Sequence, residues 1–116
     1  MSDVAQTFLY SRLPIVGLAA YSLYSSDQLL DMQCLSKSLY PASTEEMLNR
    51  VIKNSRELLP AGPRPAQYCW TFESHRIYLA SRSDGLCLVL LVENNPGVQQ
   101  FRVQETLQGF LELTEN

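Results

Sequence analysis

The chain has 116 residues, which is the size of one domain, and 46% of them are hydrophobic, enough to form a buried core. Its net charge is −3, and the nine Lys and Arg residues are scattered, which argues against a nucleic-acid-binding surface. The longest unbroken apolar run, 86–92, is too short to span a bilayer, and the N-terminal residues lack the basic start and apolar block of a signal peptide. We therefore expect a single cytoplasmic domain over residues 1–116 that binds no nucleic acid and inserts into no membrane.

The first part of the chain predicts a short helix followed by two strands. The helix covers about Val4–Ser11, and the first strand covers Ile15–Tyr24, where both faces are apolar at the start, as in an inner strand. A polar turn, Ser25–Asp27, leads to a second strand over Leu29–Leu35. Alternation in this strand places Leu30, Met32 and Cys34 on one face, and predicts that the other face is exposed to solvent.

A long amphipathic helix comes next. Ser43 and Glu46 have the spacing of a capping box, and the helix is predicted to run to about Leu59, before a segment rich in Pro and Gly. Its apolar side chains fill an arc of roughly 140°, which is wide for a helix that contacts only one sheet. These are Met47, Leu48, Val51, Ile52, Leu58 and Leu59. Either the helix packs only on its own sheet, or the flank that carries Met47, Val51 and Leu58 also meets a second subunit.

Three strands are predicted after the proline-rich segment. Ala66–Glu73 alternates three aromatic side chains onto one face, which suits either the core or, on an edge strand, a contact surface; they are Tyr68, Trp70 and Phe72. The prolines just before this strand fit an edge position. Arg76–Arg82 is the next strand. An Asp84–Gly85 turn then leads to Leu86–Val92, which is apolar on both faces and is predicted to be the central strand.

A second amphipathic helix, about Val98–Thr114, closes the chain. Its apolar stripe consists of Val103, Leu107, Phe110, Leu111 and Thr114.

No set of residues points to catalysis. His75 is the only histidine and is predicted to lie in a turn beside Ser74 and Glu73, where neighbouring side chains rarely face one another. The three cysteines are far apart and lie inside predicted strands, so we expect reduced, buried thiols and no metal site. The glycines are single, which excludes a phosphate-binding loop. We expect no catalytic residues, no metal and no cofactor, and therefore not an enzyme.

The order of elements, helix, two strands, helix, three strands, helix, resembles the roadblock/dynein light chain domain, which is close to the longin domain. The apolar strand Leu86–Val92 after an Asp-Gly turn and the stripe on the last helix carry the same resemblance. One departure is the short first helix, which is usually longer in roadblock domains. The resemblance implies an α+β fold with a five-stranded antiparallel sheet, the middle helix on one face and the terminal helices on the other.

The resemblance also implies a function. Roadblock domains dimerise by pairing their third strands and middle helices, have no catalytic residues, and regulate or scaffold small Ras-like GTPases or motor complexes. The implied partners are therefore a second copy or a related domain, and a small GTPase. The candidate interface residues are Met47, Val51, Leu58, Tyr68, Trp70 and Phe72.

Two other classes of protein share some of these features. An acidic, dimeric secretion chaperone also binds partner polypeptides, but its usual order has three strands before the middle helix and two after it. A small-ligand sensor would need a pocket between sheet and helix, and the bulky side chains of Met47, Leu48 and Ile52 suggest that this space is filled.

Overall fold

The computed structural model describes residues 2–25, 28–37, 39–58 and 66–113. It contains three helices and five strands in the order predicted from the sequence. They are α1 (Ser2–Arg12), β1 (Leu18–Ser25), β2 (Gln28–Cys34), α2 (Pro41–Leu58), β3 (Ala66–Thr71), β4 (His75–Ser81), β5 (Leu86–Glu93) and α3 (Gln100–Glu112). None of the described helices is both long and apolar enough to cross a membrane.

The five strands form one antiparallel sheet with the order β2-β1-β5-β4-β3. The α+β class is thus confirmed. The prediction that 86–92 is the central strand is confirmed as well, because β5 lies in the middle of the sheet between β1 and β4 and is buried along almost its whole length. β1 is an inner strand, and β3 lies at an edge, as the prolines before it indicated.

Each face of the sheet has its own core. On one face, α1 and α3 pack on the sheet through Leu9, Leu107 and Phe110, which are buried with alternate residues of β1 and β5. On the other face, Leu48 and Ile52 of α2 are buried with a second set of strand residues. The helices therefore divide between the faces as the family resemblance implied. Ala19 and Ala20 belong to the α2 core, where their small side chains let the helix approach.

β1 begins three residues later than the sequence predicted, at Leu18 instead of Ile15. The reason is a turn at Val16 and Gly17, in which Gly17 has a φ of 93°. A β-carbon on Gly17 would lie 2.5 Å from Cγ2 of Val98, so the loop before α3 sits directly against this turn. Only glycine satisfies both requirements.

The prediction that Leu30 shares a face with Met32 and Cys34 is wrong. A bulge in the β1–β2 pairing, between Leu23 and Tyr24, moves the register by one residue. Leu30 therefore packs with the α1/α3 core, whereas Met32 and Cys34 pack with the α2 core. A one-residue change of register reverses the face of every side chain beyond it, and simple alternation cannot detect this.

The capping box predicted at Ser43 and Glu46 is not formed. α2 begins at Pro41, and the Thr44 N–H donates to the Tyr40 carbonyl at 3.0 Å, so Ser43 and Glu46 already lie inside the helix. Proline is well suited to the first helical position, since its missing N–H has no partner there anyway. Glu46 instead accepts from Arg50 one turn later, at 2.7 Å.

Smaller differences occur at other element ends. β3 ends at Thr71, α3 begins at Gln100, and the predicted turn residues Ser26 and Asp27 lie outside the described residues. The Asp84–Gly85 turn is confirmed, with Gly85 at a φ of 92°. Asp84 accepts from Arg82 at 2.8 Å, and Arg82 also donates to the Phe110 carbonyl near the end of α3.

Candidate protein interface

α2 covers only part of its face of the sheet. Its buried side chains recur along one side of the helix at Thr44, Leu48, Ile52 and Ser55, and they pack mainly against β1 and β2. The half of the sheet made by β4 and the edge strand β3 receives less cover from the helix. The apolar side chains of β4 on this face are still buried, but those of β3 reach solvent.

The flank of α2 that faces this half carries two of the candidate interface residues. Met47 is 36% exposed, and Val51 is half-buried against the α2 core. The sequence grouped both residues with Leu48 and Ile52 in one apolar arc. The structure separates them, because Leu48 and Ile52 point into the core and Met47 and Val51 lie at its border. The side chain of Leu58 and the whole of Leu59 lie outside the described residues.

The aromatic side chains of β3 lie on the same face as α2. Tyr68 and Trp70 are paired with Leu79 and Ile77 of β4, which belong to the α2 core. Their rings stack with centroids 6.0 Å apart and an angle of 27° between the planes. Both are half-buried, so each ring presents one side to the core and another to solvent.

A groove of about 410 Å³ lies between α2 and the strand ends. Phe72, which directly follows β3 and is 54% exposed, forms one wall, and Met47 and Val51 form the opposite one. Its full lining is Leu39, Met47, Arg50, Val51, Asn54, Phe72, Ser74, His75, Ile77 and Leu91. The structure thus brings Met47, Val51, Tyr68, Trp70 and Phe72 to one continuous face, which we call the α2–β3 surface.

His75 was placed in a turn by the sequence, and this was wrong. It is the first residue of β4, is half-buried, and lines the groove, with Nδ1 2.9 Å from the Ser74 hydroxyl. The turn is shorter than predicted because the Phe72 N–H donates to the His75 carbonyl at 2.8 Å, which closes the β3–β4 hairpin tightly. Sequence reasoning also missed Leu39, which lies in a segment without clear periodicity.

The expectation of three buried thiols holds for one cysteine. Cys87 is buried in the central strand and Cys34 is half-buried, but Cys69 is exposed. β3 is an edge strand, and Cys69 alternates to the face opposite Tyr68 and Trp70, so neither a neighbouring strand nor α2 covers it. Its side chain lies in the middle of the strand, with Sγ 4.0 Å from the Thr71 hydroxyl.

The chemistry of the α2–β3 surface is that of a contact surface. Six of the ten residues that line the groove are apolar, and the polar ones are Arg50, Asn54, Ser74 and His75. Within the described ranges, no three His, Cys, Asp or Glu side chains are grouped as metal ligands. Aromatic residues and Met beside an open strand edge are typical of a protein interface.

A hydrogen-bond network lies on the opposite face. The Tyr10 and Tyr21 hydroxyls both donate to Asp31, at 2.8 and 3.2 Å, and so link α1 to β1 and β2. Burial, together with the hydrogen bond to Tyr10 and the charge of Asp31, raises the pKa of Tyr21 far above its ordinary value. The hydrogen bond to Asp31 likewise raises the pKa of Tyr10. Both phenols stay protonated at neutral pH, and through Asp31 they tie α1 and β1 to β2.

No protein-family model and no curated protein matches the chain. Solved structures do match over nearly its full length. The gliding protein MglB of Thermus thermophilus is 15% identical, with 95% of this chain and 87% of that chain covered and a TM-score of 0.64. A Roadblock/LC7 domain from Streptomyces avermitilis is 14% identical, with 97% of this chain and 88% of that chain covered and a TM-score of 0.61. MglC from Myxococcus xanthus is 20% identical, with 95% of this chain and 99% of that chain covered and a TM-score of 0.59.

These matches confirm the resemblance derived from the order of elements: the chain has the roadblock fold. The identities are low, so the likeness concerns the arrangement of sheet and helices. It covers nearly the whole chain, even though the first helix, α1, is short, which was the one departure noted from the sequence.

Proposed function

We propose that this protein dimerises through the α2–β3 surface, and that the dimer is a non-catalytic regulator or scaffold for a small Ras-like GTPase or a related signalling or motor complex in the cytoplasm. The choice of partner follows the resemblance to roadblock domains, whose fold this chain shares. The observation that carries the proposal is the α2–β3 surface itself, an apolar face continuous with an unpaired strand edge.

The edge of β3 supports dimerisation. Within the described sheet, one side of this six-residue strand pairs with β4 and the other side has no partner. An open edge presents N–H and C=O groups that invite a further strand. A second copy of β3, related by a two-fold axis, supplies an antiparallel partner of identical length.

The position of α2 fits the same arrangement. When two sheets join at β3, the faces that carry α2 become one continuous face. The bare part of each sheet then lies between the two α2 helices, so Met47, Tyr68 and Phe72 of both copies become buried near the axis. A two-fold interface uses one patch twice, which requires a patch that can pack against itself. An apolar aromatic face with few charges meets that requirement.

Cys69 provides a direct test. It lies near the middle of β3, so the two-fold pairing places the two Cys69 residues close to each other across the joint. A variant that retains only this thiol, C34S/C87S, is treated with a short bifunctional maleimide at micromolar protein concentration. We expect a covalent species of twice the 13.1 kDa of the chain. The matched control, C34S/C69S, retains only the buried Cys87 and is expected to remain monomeric on the gel.

Light scattering complements the cross-linking. If the wild-type protein is monomeric at tens of micromolar and Cys69 does not cross-link, the homodimer is excluded, and a heterodimer with a related domain is sought by co-purification.

The GTPase part is tested separately. The tagged protein is used to capture partners from its own cells, and any GTPase recovered is titrated in its GDP-bound and GTP-bound forms. We expect tighter binding of one nucleotide state, because a regulator must distinguish the two. Recovery of a secreted polypeptide in place of a GTPase would contradict the proposal and favour the chaperone alternative.

A further inference from the structure

A second cavity, of about 370 Å³, lies on the other face of the sheet, away from the α2–β3 surface. It is lined by Arg76 of β4 on the side of the sheet, by the loop 94–98, and by Gln100 at the start of α3. Arg76 lies on the α1/α3 side, since it pairs with Val92 and precedes Tyr78 by two residues, and both belong to that core. The lining is Arg76, Glu93, Asn94, Asn95, Pro96, Val98 and Gln100.

Most polar groups around this cavity already have partners. The Asn94 side chain donates to the Phe72 carbonyl at 2.9 Å, and the Asn95 side chain accepts from the Gly97 N–H at 2.9 Å. The Gln100 amide donates to the Tyr78 hydroxyl. These bonds fix the loop and the start of α3, so the walls of the cavity are preformed.

Arg76 differs from these groups. Its Nε is buried and has no hydrogen-bond partner among the described residues. Glu93 lines the same cavity, but its carboxylate forms no ion pair with Arg76 in the described part of the chain. An unpaired donor on a charged group loses considerable free energy. Because the Arg76 side chain also lines the cavity, an acceptor placed there would meet its guanidinium group.

We infer that this cavity binds an oxyanion, a phosphate or carboxylate group, through the guanidinium of Arg76. A guanidinium presents a planar fork of donors that matches the paired oxygens of either group. The cavity is larger than a bare anion and lies within the usual range for small-molecule sites, so the anionic group is expected to belong to a larger molecule. Glu93, which is exposed at the rim, repels an anion and lowers its affinity.

The test uses the ¹⁵N-labelled full-length protein and two probes, inorganic phosphate and acetate, with chloride added to keep the ionic strength constant. The readouts are the NMR shifts of the Arg76 Nε–H and the Gln100 backbone amide. We expect saturable shifts at both positions. Tighter binding of phosphate assigns the site to a phosphate group, tighter binding of acetate assigns it to a carboxylate, and either result supports the oxyanion site.

Three variants sharpen the test. R76Q is expected to weaken binding by about tenfold or more, because a charge-assisted hydrogen bond is lost. E93Q is expected to strengthen it by roughly twofold to fivefold, because a nearby like charge is removed. K53Q removes one positive charge from the exposed side of α2, and is expected to change nothing.

Several results would overturn the inference. Shifts that do not saturate, or that are as large at Lys37 and Lys53 as at Arg76, indicate general screening of charge. Unchanged binding in R76Q excludes the guanidinium as the ligand. If R76Q fails to fold, the titration of Arg76 Nε–H in the wild-type protein still decides, since a shift that no anion changes shows that no anion binds the guanidinium.

Discussion

Truncation of Phe72 is the sharpest test of the α2–β3 surface. Phe72 is 54% exposed and lies at the wall of the groove, directly after the edge strand. Phe72→Ala removes its ring but keeps the backbone N–H that closes the β3–β4 hairpin. Because about half of the ring is already covered in the isolated chain, its loss should also lower the folding stability by roughly 1 to 2 kcal/mol. Association should be weakened more strongly.

The size of the effect follows from the exposed area. A phenylalanine presents roughly 200 Å² when it is fully exposed, so about 100 Å² of Phe72 remains to be buried in a dimer. At about 25 cal/mol per Å², and with allowance for the remaining alanine methyl, this corresponds to roughly 2 kcal/mol per copy. A two-fold interface contains the residue twice. We therefore expect a loss of about 4 kcal/mol, which raises the dimer dissociation constant by roughly a thousandfold.

The assay is sedimentation or light scattering over a dilution series, with the wild-type protein alongside. Phe101→Ala is the matched control, because Phe101 is 78% exposed but lies on α3, on the opposite face of the sheet. This control should dimerise like the wild type. If Phe72→Ala and Phe101→Ala have the same dissociation constant as the wild type, the groove is not part of the interface and the reasoning fails.

Three further predictions concern stability. Gly17→Ala should destabilise the fold by at least about 2 kcal/mol, because the new methyl group is strained at positive φ and also clashes with Val98. Urea unfolding measures the loss, and a value below about 0.5 kcal/mol would contradict this prediction. Burial alone would raise the pKa of Asp84, but the bonds from Arg82 and the Leu86 N–H outweigh it and lower the pKa. Its charge therefore stabilises the fold above about pH 4, and this stabilisation is lost as the pH falls through the lowered pKa. Asp84→Asn should reduce the loss of unfolding free energy at acidic pH. Because the pKa of Tyr21 is raised in the folded protein, its protonated phenol stabilises the fold fully below about pH 10, and this stabilisation decreases at higher pH. Tyr21→Phe should therefore reduce the loss of stability at alkaline pH, as measured by unfolding at about pH 9 to 11.

The order of elements and the place of the central strand could be predicted from the sequence because both depend on local patterns. The run 86–92 is apolar on both faces and follows a strong turn, so only a central position suits it. The edge position of β3 followed from the prolines before it. These signals, combined in chain order, were sufficient to indicate the roadblock fold without any matching sequence family.

The details that failed depend on contacts that are distant in sequence. The late start of β1 comes from the turn at Gly17, which packs against Val98, and the face of Leu30 is set by a bulge against β1. A helix cap at Ser43 was plausible from spacing alone, but Pro41 begins the helix earlier. Each case involves a local pattern that a tertiary contact or a competing local signal overrides.

The candidate interface was partly predictable. Periodicity selected Met47 and Val51 on α2 and the alternating aromatic side chains on β3, and the fold brings them to one face. That this face is an interface stays a prediction. Periodicity could not separate the buried side of α2 from its exposed flank, because this depends on which half of the sheet the helix covers. Arg76 gave no signal in the sequence, since its significance lies in the buried, unpartnered Nε.

The pairing of β1 with β5 also has a kinetic consequence. It joins Leu18 to Val92 and Ser25 to Leu86, so the centre of the sheet closes only when distant parts of the chain meet. The β1–β2 hairpin and the β3–β4–β5 meander can each form locally, but such long-range closure is slow compared with the formation of local elements. During synthesis, the part of the α2 core that β4 and β5 supply is missing until β5 has left the ribosome. This interval is the point at which the nascent chain is most exposed to aggregation.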